Sequence, residues 1–220
     1  MRALTLTRKA SLVLGLLSLT ASFAAEPVVT GRVVGLDGHG IEQAVVFVHT
    51  PGQSAPSEAA HASEAAMDQI NRTFVPDLLP IVVGTEVRFP NHDRILHHVY
   101  SFSRTKSFEI PLYKGRDAPP VLFDKPGVVK VGCNIHDWMS AVILVLPTPH
   151  YAVTGEDGRF ALTGLPPGVY SLAAWHESSR GKLEDTLQRV QVAAKPVDIS
   201  FTLALTPTRP RPGIHGSRGN

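Results

Sequence analysis

Cysteine is nearly absent. Cys133 is the only one in 220 residues, which excludes a disulfide framework within the chain. Charge of one sign is scarce as well. Of 21 Lys and Arg, three (Arg2, Arg8, Lys9) lie in the first nine residues and three (Arg209, Arg211, Arg218) in the last fifteen, leaving 15 basic against 19 acidic residues between them. That slightly acidic body carries no electrostatic footprint for nucleic acid. Beyond residue 25 no apolar run approaches the roughly 20 residues a membrane-spanning helix needs. What remains, 43% hydrophobic and 18% charged with 18 Gly and 18 Pro, is a globular composition rather than a disordered or collagenous one.

The first 25 residues read as a cleavable secretory signal. A basic start leads into the apolar stretch Ala10 to Ala21 and then into small residues, Ser22-Phe23-Ala24-Ala25. Cleavage after Ala24 fits this pattern, so residues 1–24 are the expected signal and the expected location is periplasmic, with no membrane span after cleavage. In an oxidising compartment a lone thiol is either buried or used.

In the mature chain, turn signals such as Asp37-Gly38, Pro126-Gly127, Asp157-Gly158 and Pro166-Pro167-Gly168 separate short runs rich in Val, Ile, Phe and Thr. Examples are Val28 to Val34, Ala44 to Val48, Ile81 to Phe89, His98 to Phe102, Val128 to Val131, Val142 to Leu146 and Ile199 to Leu203. The pattern predicts an all-β protein of the sandwich type. Residues 51–66, poor in large apolar side chains, read as a flexible connector or a short exposed helix. The polar stretch Ser178 to Leu187 reads as a loop, and residues 206–220, rich in Pro, Gly and Arg, as a disordered tail.

The chemistry concentrates in Cys133-Asn134-Ile135-His136-Asp137-Trp138-Met139, between two predicted strands. A soft thiolate, imidazoles and a weak thioether suit copper passing between Cu(I) and Cu(II). A second imidazole is offered by His97-His98 upstream; strand alternation sends these two to opposite faces, so one of them reaches a metal beside Cys133. Zinc is the competing metal, for which Met is a poor ligand. His92 and Asp93 read as solvated loop residues, and His39, His49, His61, His150, His176 and His215 as incidental. Trp138 would border the pocket, as a packing cap or as part of a docking face, packing being the simpler reading.

These residues resemble a known family. Phe74-Val75-Pro76, the run Ile81 to Phe89, Asn91 six residues before His97, and Asp124-Lys125-Pro126-Gly127 leading to Cys133 look like the plastocyanin and amicyanin group of cupredoxins. The short Cys-x-x-His-x-x-Met loop is most similar to that of amicyanin. The resemblance spans residues 67–146. It implies a cupredoxin Greek-key β-sandwich holding one type 1 copper, with His97, Cys133 and His136 as equatorial ligands and Met139 as the weak axial one. It departs at His98, where that family has Asn, at Val129, where it has Tyr, and in a long insert from Arg104 to Val121.

A second resemblance flanks the first. The stretch Gly31 to Val48, with Thr154 to Leu172 much later, is similar to the carboxypeptidase regulatory-like, transthyretin-type β-sandwich. It implies a discontinuous outer domain of residues 25–50 and 150–205 with the copper module inserted. A competing parse gives Val28 to Val48 to the copper module and leaves Tyr151 to Leu205 as an appended unit. Similar exported proteins carry a methylamine-utilisation label. The expected function is one-electron transfer to a protein partner. The alternative is non-redox copper storage or a structural scaffold of the cell envelope, with the second sandwich binding another envelope component. No Ser-His-Asp order, phosphate loop or carboxylate pair recommends an enzyme.

Overall fold

A computed structural model describes residues 28–49, 63–115 and 118–206. The expected signal, most of the connector and nearly all of the tail lie outside the described residues. Strands β1 (Val29–Gly35) and β2 (Val45–Val48) come first. They are followed by β3 (Glu64–Ala66), β4 (Asp68–Ile70), β5 (Thr73–Val75), β6 (Leu78–Val82), β7 (Thr85–Arg88) and β8 (His97–Phe102). Next come β9 (Ser107–Tyr113), β10 (Val121–Phe123), β11 (Gly127–Cys133) and the long β12 (His136–Leu146). The chain continues through β13 (Tyr151–Val153), β14 (Arg159–Leu162), β15 (Gly168–Trp175), β16 (Gln188–Val192) and β17 (Val197–Leu203). The one helical element among the described residues is a 3-10 turn at Leu183–Thr186, so the fold is all-β.

The strands form two stacked sandwiches. In the outer one, the sheet β14-β1-β17 faces the sheet β13-β2-β15-β16. β1 and β2 are therefore bonded to strands that follow Pro147: Val29 pairs with Leu162 and Val45 with Trp175, each about 130 positions apart in the chain. In the inner sandwich, the sheet β6-β12-β11-β8-β9 faces β10-β7-β3, with the small hairpin β4-β5 beside it.

Alternation accounts for three apolar layers. On β2, Val46 and Val48 enter the outer core with Phe160, Leu172 and Phe201, while Val45 and Phe47 point the other way. On β12, Ala141, Ile143 and Val145 enter the inner core with Phe74, Phe89 and Phe123, while Leu144 and Leu146 point back toward β2. Val45, Phe47, Leu144, Leu146 and Ala173 thus make a third, smaller cluster between the sandwiches. Both strands are buried on both faces, which is why they read as unbroken apolar runs.

Two local expectations are revised. The last residues of the predicted connector form β3, parallel to β7, with Ala65 opposite Val87 and Ser63 Oγ 2.6 Å from Thr85 Oγ1. Its Glu-Ala-Ala sequence has little strand preference of its own; an open edge of β7 supplies the pairing. The polar stretch after Ser178 is more than a loop, since it holds the 3-10 turn and a bridge from Ser179 to Leu205.

The outer sandwich closes on two tight contacts. At Gly158, φ is +78° and a Cβ would meet the Val33 carbonyl oxygen at 2.3 Å, so the Asp157-Gly158 turn can lie against β1 only with glycine there. Thr154, which is 3% exposed, uses its hydroxyl twice. Its Oγ1 accepts the Ala44 N–H at 2.8 Å and donates to the Ile41 carbonyl at 2.6 Å. Thr154→Val keeps the shape and orphans both backbone groups, with an expected loss of about 2–4 kcal/mol in urea unfolding. A loss below about 0.5 kcal/mol would show that water reaches these groups.

Candidate metal centre

Cys133 ends β11, Asn134 and Ile135 make the turn, and His136 opens β12, with Cys133 and His136 as the last paired residues of the hairpin. The Asn134 N–H donates to the His98 carbonyl at 3.2 Å, tying this turn to β8. Val99 of β8 lies opposite Cys133, so His97, two residues earlier on the same face, is brought beside the thiol.

The three side chains converge. Cys133 Sγ lies 3.7 Å from His97 Nδ1 and 3.6 Å from His136 Nδ1. The two imidazole rings meet edge to face with centroids 5.0 Å apart. All three ligand atoms fall within 4.8 Å of one another, the one such group of His, Cys and acidic side chains among the described residues. Metal bonds of about 2.3 Å to sulfur and about 2.0 Å to nitrogen, opened to about 120°, would put sulfur and nitrogen about 3.7 Å apart. The spacing of these atoms therefore fits one metal ion held in a trigonal plane. The soft and borderline donor set suits copper. Cys133 and Met139 are both buried, 4% and 2% exposed, in the inner core cluster.

His98 turns to the opposite face. Its Nε2 lies 2.9 Å from a Glu109 carboxylate oxygen and its ring is 6.1 Å from that of Tyr100. Of the adjacent pair, His97 is the one in the cluster. His39, His49, His150 and His176 stand outside it; His61 and His215 lie outside the described residues.

Asp93 is not a solvated loop residue. Its side chain is 12% exposed and its Oδ2 lies 2.7 Å from His97 Nε2. Its two oxygens also accept the Asn71 N–H at 2.6 Å and the Arg72 N–H at 2.8 Å. Burial opposes the charge, but these backbone donors and His97 outweigh it and hold the carboxyl below the ordinary aspartate value. An ionised carboxylate only accepts, so the Nε2–H of His97 is the donor, and in the neutral ring Nδ1 presents its lone pair toward Cys133. Asn71 and Arg72 can aim both N–H groups at Asp93 because they form the two-residue turn between β4 and β5, with φ of 54° and 58°.

Of the other residues of the shell, Asn91 was marked by its spacing to His97 and Tyr113 carried no signal. Asn91, 3% exposed, donates through Nδ2 to the Ile95 and Tyr113 carbonyls at 3.0 Å each and accepts the Asp93 N–H at 3.0 Å. Tyr113, from the insert that showed no metal role, donates to the Phe89 carbonyl at 2.5 Å and is hydrogen-bonded to the fully buried Gln69. Burial, with the nearby Cys133, pushes the Tyr113 hydroxyl up to about 12, so it stays a donor. His92 is half exposed and pairs with Asp68 at 2.6 Å. A carboxylate four residues before His97 was the one visible clue to Asp93.

His136 is partly exposed. Desolvation, then the neighbouring His97 and Arg72, push its pKa down, which favours the neutral ring that a metal ligand must be. Trp138 lies beside it, ring centroids 5.5 Å apart, and is 47% exposed, next to Ile135 at 48%. Trp138 thus packs one side against the His136 ring and leaves the other on the surface.

No protein-family model and no curated protein matches the sequence. Among solved structures, the chain is similar to a purple cupredoxin from Nitrosopumilus maritimus. The identity is 26% and the TM-score 0.33, over 38% of this chain and 99% of that one. It is also similar to a reduced amicyanin mutant, at 19% identity and TM-score 0.35, over 46% of this chain and 98% of that one. A pseudoazurin from Sinorhizobium shows 21% identity and TM-score 0.31, over 38% and 74% of the two chains.

Asp93→Ala should lower stability by about 1–3 kcal/mol at pH 7, since two backbone donors lose their acceptor. Because the folded carboxyl titrates below 3.8, its ionic contribution is complete above that value and is lost as pH falls through the folded pKa. The gap between parent and variant in urea unfolding is therefore expected to narrow as pH drops below 3.8. A gap independent of pH would show that the charge of Asp93 does not hold the turn.

Proposed function

We propose that this chain is an exported copper protein that passes single electrons to and from a protein partner, with His97, Cys133 and His136 as equatorial ligands and Met139 as a weak axial one. One observation carries the reading. A buried thiolate and two imidazole nitrogens converge at 3.6 and 3.7 Å, the spacing of a trigonal metal plane. Copper supplies the one-electron exchange between Cu(I) and Cu(II).

The side chains do the rest. Asp93 holds the His97 ring and its proton on Nε2, so the lone pair of Nδ1 stays aimed at the site. Cys133 and Met139 are packed into the inner core, which excludes water from sulfur. His136, bordered by the exposed Ile135 and Trp138, is the ligand nearest the surface and the natural exit for an electron. A partner would dock on that apolar rim. Little has to move, because both imidazoles and the thiolate are positioned by hydrogen bonds and strand pairing among protein groups alone.

The periplasm is the proposed location, on the signal-like N-terminus. The outer sandwich is proposed as a carboxypeptidase regulatory-like module that attaches the copper module to another envelope component. No catalytic role is proposed for either sandwich.

Loaded with Cu(II) and freed of excess, the mature chain should show an intense thiolate-to-copper band, narrow parallel hyperfine splitting in electron paramagnetic resonance, and reversible bleaching by a mild reductant. Cys133→Ser and His97→Ala should abolish the band; His98→Ala should leave it. A colourless protein, or only weak tetragonal Cu(II) signals, would replace electron transfer with storage, another metal or a scaffold role. A band that survives Cys133→Ser would sink the ligand set itself.

A further inference from the structure

The two sandwiches do not close on each other completely. The buried cluster between them holds Val45, Phe47, Leu144, Leu146 and Ala173, with Val128, Trp175 and Leu183 half-buried against it. Beyond it the layers part around a cavity of about 830 Å³. Its apolar wall comes from both modules, with Phe47 and Trp175 from the outer sandwich and Val83, Val128, Leu144 and Leu146 from the inner one. A cleft of this size at a junction of modules, mostly apolar with a few polar groups, has the form of a small-molecule site.

The polar groups gather on one segment. Arg180 and Lys182 line the cavity from the chain after β15, and Lys125 lines it from the facing module. Two carboxylates, Asp124 and Glu177, share the lining, and Asp124 is paired with Lys106, outside it, at 3.7 Å. Cations therefore prevail at the rim. His176 and Ser179, also in the lining, add neutral donors. His176 Nδ1 accepts the Ser178 N–H at 3.1 Å, which leaves its Nε2 to carry the proton. The Ser179 hydroxyl is buried and has no hydrogen-bond partner among the described residues. A buried hydroxyl without a partner is costly, and a ligand oxygen would relieve it.

We infer that this cavity binds an amphipathic organic anion, its apolar body against Phe47, Trp175, Leu144 and Leu146 and its carboxylate or sulfonate among Arg180, Lys182, Lys125 and the Ser179 hydroxyl. The site is separate from the metal centre. It borders Gly127 and Val128 at one end of β11, and Cys133 stands at the other, about 20 Å away along the strand.

The chain has two tryptophans, so Trp138→Phe leaves Trp175 as the sole reporter in the cavity. Titrated with 1-anilinonaphthalene-8-sulfonate, the full-length Trp138→Phe protein should bind one dye saturably, with energy transfer from Trp175. Decanoate should displace the dye at about tenfold lower concentration than decanol. Lys125→Gln and Arg180→Gln, exposed side chains on facing walls, should each weaken dye and decanoate about threefold, and together about tenfold. Lys125→Gln alone suffices if the double variant is poorly folded. Absence of saturable binding, equal displacement by decanol, or affinity unchanged in both charge variants would overturn the proposal. So would a tenfold rise in affinity on deleting residues 207–220, which would make that segment the occupant. None of these outcomes depends on copper.

Discussion

Everything in this structure leans on the β11-β12 hairpin. Its turn presents Cys133 and His136, its inner face fills the core of one sandwich, and the outer face of β12 holds the second sandwich in place. From Ala141 to Leu146 every residue of β12 is buried. A strand covered on both faces cannot slip by one residue, because that would send each side chain into the wrong layer. Register fixed over that length also fixes the ligand turn at its end. Ladder bonds from Gly127↔Val145 to Gly132↔Ser140, with a shift before Cys133↔His136, aim the thiol and the imidazole together.

The other half of the centre is positioned by polar contacts. The β4-β5 turn offers two N–H groups to Asp93, Asn91 braces the same loop, and Asp93 orients His97. Such a network is worth having only when every member is satisfied, since a buried polar group without a partner destabilises by about 1–3 kcal/mol. Here Asp93 accepts both turn N–H groups and the His97 proton, and Asn91 accepts the Asp93 N–H. The ligand rings are thus braced by protein groups, and the geometry a metal would require is one the chain already holds.

Legibility in the sequence followed the physics of each element. β1, β2, β8, β11, the second half of β12 and β17 coincide with runs rich in Val, Ile, Phe and Thr, because their residues face one or two apolar layers; composition alone marked them. β3, β4 and β5 escaped notice. They are three residues each, Glu-Ala-Ala, Asp-Gln-Ile and Thr-Phe-Val, too short to show a period, and they exist because a neighbouring edge or a tight turn pairs them. At the centre, Cys133, His136 and Met139 stood out as soft donors spaced along one turn; alternation on β8 left one of His97 and His98 to join them, and only the family resemblance pointed to His97. Asp93 did not. A single aspartate in a loop has no period, and its role depends on a turn 21 residues earlier whose N–H groups no pattern reveals.

The stacking of the sandwiches has its own logic. The inner sandwich encloses Cys133 and Met139 in its own core, yet β12 carries Leu144 and Leu146 outward, where water would meet them if the outer sandwich were missing. Two large side chains left exposed would forfeit about 3–6 kcal/mol of burial. The outer sandwich is in turn assembled from strands on either side of the inner one, so β1 and β2 can pair with β14, β15 and β17 only when the two ends of the inner module are brought together. Burial of Leu144 and Leu146 thus couples β12, whose first residue is His136, to a module that contributes none of the three clustered donors.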